Sequence, residues 1–107
     1  MCSSDLMKIF VRPKASVDLE SQALFIARDN VRIAYQLYEA CEETFKRLAE
    51  MPYMGQLYPT AKKRLMGVRF FPIPGFEKHL IFYVPREDHI DIIRILYTTR
   101  DITRILK

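Results

Sequence analysis

The strongest constraint on the fold lies in the last third of the chain, where two apolar runs are separated by a short polar turn. The first run covers residues 79–84 and the second covers residues 90–97. β-Branched and aromatic residues dominate both runs, as is typical of strands, and the second run is apolar at consecutive positions, as in a strand buried on both faces. The pattern predicts a hairpin whose second strand is central and leads to Arg100 and Asp101 at one sheet edge.

Upstream of this hairpin, the sequence predicts one strand and two helices. Residues 7–11 form a short apolar run, typical of a first strand, and Arg12-Pro13 closes it because a proline there ends a strand and opens a helix with its preset φ. Ser16 is the predicted N-cap of a first helix that runs to about Arg28. Asp29-Asn30 is a second capping signal, and apolar residues then recur every three or four positions until Met51-Pro52. The two helices are therefore expected to form a hairpin.

The remaining segments complete an α+β fold. Residues 52–63 carry the prolines and glycine of an ordered loop, and residues 65–73 read as a strand that leads through Pro74-Gly75 into the hairpin. The predicted order is β-α-α-β-β-β with a short C-terminal helix over residues 101–106. We expect the helical hairpin to pack on one face of an antiparallel sheet, while the other face stays partly open and carries Arg69.

Length and composition favour one domain without a membrane span. A chain of 107 residues has room for a single core, predicted here over residues 7–107. Residues 1–6 lack the features of a secretory signal and resemble a translated sequencing adapter, so they are interpreted as a leader of non-native origin. No apolar run approaches the roughly 18 residues of a membrane span, and two cysteines do not make a disulfide framework. We expect a cytoplasmic protein with no membrane partner.

The charge balance and the absent motifs narrow the function classes. Seventeen Lys and Arg residues against 13 Asp and Glu give a net charge of +4, which favours an anionic partner. With three glycines the chain has no phosphate-binding loop, and its two histidines have no metal-ligand spacing, so no cofactor and no metal are predicted. Cys41 lies on the apolar stripe of a helix, where a buried inert thiol is expected.

The residue types still allow catalysis that relies on cationic side chains. RNA cleavage without a metal needs a base, an acid and cations that stabilise the phosphorane. The groups that fit these roles are Arg69, Arg94 and Arg100 for charge, Tyr97 as acid, and Glu77 or His79 as base. The catalytic candidates are Arg69, Tyr97 and Arg100. Surface arginines also occur at sheet ends without any catalytic role, so both interpretations stay open.

From about Phe10 to Leu106, the chain resembles the RelE/ParE family of toxins from bacterial toxin–antitoxin pairs. The motifs that carry the resemblance are Gly67-Val68-Arg69, Phe71-Pro72-Ile73, Gly75-Phe76, Leu80-Ile81-Phe82-Tyr83, Ile93-Arg94-Ile95-Leu96 and Arg100-Asp101-Ile102. The chain looks more like the ParE branch, whose fourth strand typically closes with Leu-His-Gly-Ala-Arg-Asp. Here residues 96–101 read Leu-Tyr-Thr-Thr-Arg-Asp, so Tyr97 stands in place of the usual histidine.

The resemblance implies three alternative functions. A ParE-like toxin binds DNA gyrase without being an enzyme, and a cognate acidic antitoxin neutralises it along the helical hairpin and sheet edge. A RelE-like relative is a metal-independent endoribonuclease that cleaves messenger RNA on the ribosome, with Arg69, Tyr97 and Arg100 as its site here. A third alternative is a toxin remnant kept as a partner-binding domain. The ParE-like function is the favoured prediction.

Overall fold

Two helices and five strands make up the part of the chain that a computed structural model describes, residues 7–59 and 62–97. The elements in chain order are β1 (Lys8–Val11), α1 (Pro13–Ala27), α2 (Val31–Glu50), β2 (Gln56–Leu57), a 3₁₀ turn (Lys63–Leu65), β3 (Arg69–Ile73), β4 (Phe76–Pro85) and β5 (His89–Tyr97). The predicted leader at residues 1–6, the predicted helix at residues 101–106 and Arg100 lie outside the described residues.

The strands form one mixed sheet in the order β1-β5-β4-β3-β2. β5 is central as predicted, with antiparallel β4 on one side and β1 on the other. β1 runs parallel to β5, with Ile9 opposite Ile90, so the sheet is not purely antiparallel. An apolar run encodes a strand but not its direction, and this pairing joins two segments that are far apart in the sequence. The α+β class with a helical hairpin on the sheet is confirmed.

The helix boundaries follow local signals, one of which was assigned to the wrong residue. α1 begins at Pro13, with Arg12 as its N-cap, so the prediction of Ser16 as N-cap was wrong. The fixed φ of proline and its missing N–H suit the first helical position, which places Ser16 inside the first turn. α2 begins as predicted, because Asn30 Oδ1 accepts a hydrogen bond of 3.3 Å from Ile33 N, and it ends before Met51.

The strand predicted for residues 65–73 is shorter in the structure. It begins at Arg69, because residues 63–65 form a 3₁₀ turn and Gly67 has a φ of 88°. That left-handed conformation interrupts the extended backbone and favours glycine. The predicted turn at Pro74-Gly75 is confirmed, with a φ of 85° at Gly75.

The core lies between the helical hairpin and one face of the sheet. Fully buried Leu37, Cys41 and Leu48 of α2 pack with Ile81 and Tyr83 of β4 and with buried isoleucines of β5. Burial raises the pKa of the Cys41 thiol to about 12, which makes it inert and confirms that interpretation.

The sheet face opposite the helices is also packed. Phe82 and Leu96 meet Leu65 and Val68 from the segment before β3, and Tyr58 packs on the same cluster. Several other apolar side chains of this cluster are only partly buried, so the face is partly open as predicted. The prediction that this face carries Arg69 was wrong, because Arg69 lies opposite Tyr83, which faces the helices.

Candidate functional site

Arg69, the first catalytic candidate, is bound to the main chain of the loop before β2. Its Nη1 atom donates to the carbonyl oxygens of Gly55 at 2.7 Å and Tyr53 at 3.3 Å. The guanidinium carbon lies 5.0 Å from the centroid of the Tyr53 ring, in cation–π contact. Arg69 therefore holds the loop in place, and part of its hydrogen-bonding capacity is used by that role.

Tyr83 fixes the same loop from the core side. Its ring is fully buried, and its hydroxyl donates to Pro52 O at 2.9 Å and accepts from Gly55 N at 2.8 Å. Burial raises the pKa of Tyr83, so the hydroxyl stays protonated and can donate. A Cβ at Gly55 would lie 2.8 Å from Tyr83 Cε1, so this position accommodates only glycine without displacement. We call Gly55, Arg69 and Tyr83 the loop anchor.

The loop anchor was missed by the sequence analysis, which gave Arg69 a catalytic role and Gly55 none. One signal was available. A tyrosine at a core-facing position of a central strand needs a polar partner for its hydroxyl. Which loop supplies that partner is not encoded locally, because Gly55 and Tyr83 are far apart in the sequence.

Tyr97, the second catalytic candidate, lies at the other end of the sheet beside a buried histidine. Its side chain is 46% exposed, and its ring centroid lies 5.0 Å from that of His79, the residue opposite it on β4. Gln22 of α1 orients His79: Gln22 Nε2 donates to Ile95 O at 2.7 Å, so its Oε1 atom, 2.6 Å from His79 Nδ1, accepts the ring proton. Burial lowers the pKa of His79, which favours the neutral ring with Nε2 as the acceptor.

The structure brings His79 and Tyr97 together but does not bring Arg69 to them. Arg69 lies opposite Tyr83 and Tyr97 lies opposite His79, so their places are four positions apart along β4 and on opposite sides of it. At about 3.3 Å per residue, the separation along the strand is roughly 13 Å. Arg100 lies outside the described residues. The catalytic role of these three residues stays a prediction.

The other two candidates named with this chemistry, Arg94 and Glu77, are held by hydrogen bonds within the fold. Arg94 forms a bidentate pair with Asp18 of α1, with Nε–Oδ2 and Nη2–Oδ1 distances of 2.7 and 2.9 Å. The contact raises the pKa of Arg94, and Asp18 also accepts from Ile95 N at 3.1 Å. Glu77 accepts from Gly75 N at 2.8 Å within its turn. Both residues therefore have clear structural roles.

A carboxylate that the sequence analysis did not single out joins β1 to β5. The Asp91 side chain is only 7% exposed and receives Arg12 Nε at 2.9 Å, Arg12 Nη2 at 2.7 Å and Arg86 Nη2 at 3.1 Å. The hydrogen bond from Arg12 is the main reason why the pKa of Asp91 is lowered. An acidic residue inside an apolar strand was the available signal, because a buried carboxylate requires a cationic partner.

The helical hairpin presents an apolar surface to solvent. Its large exposed side chains are Val17, Leu24 and Phe25 on α1 and Val31, Tyr35 and Tyr38 on α2. The α2 members follow one another by four and three positions, so they form one stripe along the helix. We call these six residues the hairpin patch. A surface of this kind is typical of a site that another protein covers.

Two solved structures share this arrangement of a helical hairpin on a five-stranded sheet. A structure described as the chromosomal ParDE toxin–antitoxin system from P. aeruginosa superposes with a TM-score of 0.69 at 20% identity, over 90% of this chain and all of that chain. A structure described as the YoeB/ParE toxin from Agrobacterium tumefaciens gives 0.56 at 18% identity, over 87% of this chain and all of that chain. At these identities the likeness shows the fold alone.

The family follows from the sequence. The profile of the family described as ParE toxin of type II toxin–antitoxin system, parDE, matches residues 9–102. Because this match covers most of the chain, the protein belongs to the ParE toxin family, and the predicted RelE/ParE resemblance is confirmed. No curated protein sequence matches the chain.

The structure also bears on metal and membrane binding. Within residues 7–59 and 62–97, no three metal-ligating side chains come close enough together to hold a metal ion. In the same part of the chain, neither helix combines the length and apolar character needed to span a membrane.

Proposed function

We propose that this protein is a cytoplasmic toxin that arrests growth by binding DNA gyrase and is neutralised by a cognate acidic antitoxin. Membership of the ParE family supports the toxin function. The geometry favours binding over catalysis, because Arg69 lies away from Tyr97 on the other side of β4 and Arg94 is paired with Asp18. A binding mode needs only a complementary surface.

The observation that carries the antitoxin half of the proposal is the hairpin patch. Six large apolar side chains on two adjacent helices stay exposed in the absence of a partner. Covering them removes apolar area from water, at roughly 25 cal/mol per Å². The chain carries a net charge of +4, so an acidic segment with apolar side chains is the partner that fits.

Supercoiling by purified gyrase tests the target. We expect the purified protein to block supercoiling, or to trap cleaved DNA, most strongly at low salt because the partners attract through opposite charges. Adding the cognate antitoxin should restore supercoiling. Normal supercoiling in the presence of saturating toxin contradicts the gyrase target.

The hairpin patch is tested by antitoxin affinity. Tyr35→Ala combined with Val31→Ala removes two exposed members of the stripe on α2, and we expect the dissociation constant for the antitoxin to rise at least about tenfold. Gln36→Ala, which changes an exposed, uncharged residue on another face of the same helix, is the control. Equal affinities of the double variant and wild type argue that the antitoxin binds elsewhere.

A second candidate function is ribosome-dependent cleavage of messenger RNA, and one observation favours it. The neutral His79, held by Gln22 and in ring contact with Tyr97, has the composition of a base and acid pair. In this proposal Arg69 and Arg100 supply charge. Codon-specific cuts in translated messages should then disappear in Tyr97→Phe and Arg69→Ala. Growth arrest with intact messages argues against this function.

A further inference from the structure

The net positive charge of the chain is concentrated in one segment. Between positions 47 and 69 the sequence has five basic residues and one acidic residue, a balance of +4 that equals the net charge of the whole chain. The rest of the chain is therefore balanced. This segment contains the end of α2, the loop before β2, β2 itself and the turn before β3. An acidic partner is attracted to this segment.

The centre of the same segment exposes apolar side chains around Arg69. Tyr53 is 67% exposed and Leu57 is 54% exposed. Leu57 lies directly opposite Arg69 in the β2–β3 pair, and the Tyr53 ring is in contact with the Arg69 guanidinium, so the three are contiguous. We call them the loop patch. Tyrosine and arginine are the residue types enriched at the centres of protein interfaces.

The loop anchor holds the loop patch in one conformation. Two hydrogen bonds of the Tyr83 hydroxyl and two of Arg69 Nη1 fix the main chain at Pro52, Tyr53 and Gly55. A fixed loop loses little conformational entropy when a partner binds, which favours affinity. In the described part of the chain, Nη1 is the only Arg69 nitrogen that donates to the loop. The N–H groups on its Nε and Nη2 atoms can therefore bind a carboxylate.

We propose that the loop patch is the surface by which this toxin binds its target protein, through an acidic side chain that meets Arg69 between apolar contacts to Tyr53 and Leu57. Tyr83 is a positioning residue for this surface. The inference rests on the proposed toxin function and separates the two partners in space: the antitoxin covers the hairpin patch and the target meets the β2 edge. A protein fits better than a nucleic acid, because Leu57 offers nothing to a phosphate and Arg69 already covers the Tyr53 ring.

Growth arrest in cells and antitoxin affinity together test the assignment. In Tyr53→Ala combined with Leu57→Ala, we expect the toxin level for half-maximal growth arrest to rise at least about 30-fold, as for central interface residues. The dissociation constant for the antitoxin should stay within about twofold of wild type. Phe10→Ala is the matched control, since Phe10 is 53% exposed on the opposite edge strand, and it should arrest growth like wild type.

Tyr83→Phe tests the positioning role with the apolar surface left intact. It removes both hydrogen bonds to the loop but keeps the ring, so we expect reduced toxicity with wild-type antitoxin affinity. The thermal midpoint of each variant verifies folding. If Tyr83→Phe folds and arrests growth like wild type, Tyr83 does not position the surface.

Three results overturn the proposal. The first is undiminished growth arrest by the Tyr53 and Leu57 double variant, and the second is a loss of antitoxin affinity equal to its loss of toxicity. The third is binding of a short DNA duplex by wild type that the double variant loses, which assigns the surface to nucleic acid. If wild type arrests growth but supercoiling by purified gyrase stays normal, gyrase is rejected as the target. The loop patch is still tested in that case, because its readout is growth arrest.

Discussion

The two ends of β4 place similar polar groups in different situations. At the Tyr83 end, the hydroxyl and the Arg69 guanidinium bind main-chain atoms of a loop, and nearby Asp91 is enclosed by two arginines. At the His79 end, a neutral imidazole is held by Gln22 and lies against a half-exposed tyrosine. Residue type alone therefore does not show what a polar side chain does, because its role depends on the group that it binds.

The largest effect is expected from a substitution that disrupts the contacts at the Tyr83 end. Gly55→Ala places a Cβ against the Tyr83 hydroxyl and ring, so the loop must move and both hydrogen bonds weaken. We expect the free energy of unfolding to fall by about 3 kcal/mol in urea denaturation. Gly67→Ala is the control: its Cβ meets open space and adds only the strain of a φ of 88°, about 1 kcal/mol. Equal losses in the two variants contradict the loop anchor.

The next effect tests the enclosed carboxylate near the same end. Asp91→Asn removes the partner of two guanidinium groups, and we expect a loss of about 2 kcal/mol at pH 7, less than for a fully buried pair because both arginines are partly exposed. Asp88→Asn changes an exposed carboxylate and should leave the free energy of unfolding nearly unchanged. Chemical denaturation measures the free energy of unfolding of the two variants.

The same carboxylate predicts a dependence on pH. Folding lowers the pKa of Asp91 below its ordinary value of 3.8, so its stabilisation is complete above that value and is lost as the pH falls through the lower, folded-state value. The wild-type free energy of unfolding should therefore drop more steeply on acidification than that of Asp91→Asn. Parallel acid limbs would show that Asp91 is not linked to folding.

The smallest effect is expected from a substitution at the His79 end. Gln22→Ala removes one hydrogen bond to Ile95 O and the acceptor for His79, for an expected loss of about 1 kcal/mol. Ser21→Ala, which changes the exposed residue just before Gln22 on α1, is the control. In wild type the His79 ring should titrate below its ordinary pKa, so this group destabilises the fold progressively as the pH falls below 6.5. Titration of the imidazole protons by NMR at or above 6.5 contradicts the buried, neutral ring.

Much of the fold was predictable because its signals are local. Asn30 caps α2 through its own side chain, Met51-Pro52 ends the helix, and Pro74-Gly75 turns the chain between β3 and β4. Ser16 was misjudged for an equally local reason, since Pro13 starts the helix three residues earlier. The family resemblance was also carried by short motifs in the second half of the chain.

The candidate site was less predictable, because its groups meet across long stretches of sequence. Gln22 reaches His79, Asp18 reaches Arg94, and Arg12 reaches Asp91, each between the first helix region and the last strands. The sequence supplied Arg69 and Tyr97 as candidates without showing how they are placed. It did not show that Arg69 is turned toward the loop carbonyls and away from Tyr97.

The amino-acid pattern alone determined the α+β class, the central apolar strand, both ends of α2, the surplus of basic residues and the kinship with ParE toxins, since these depend on composition, spacing and neighbouring residues. Only the tertiary structure decided that β1 runs parallel to β5, that the segment before β3 packs on the second sheet face and that Arg69 and Tyr97 lie apart. Strand direction and side-chain partners depend on which distant segments pack together. That choice is made by the whole core.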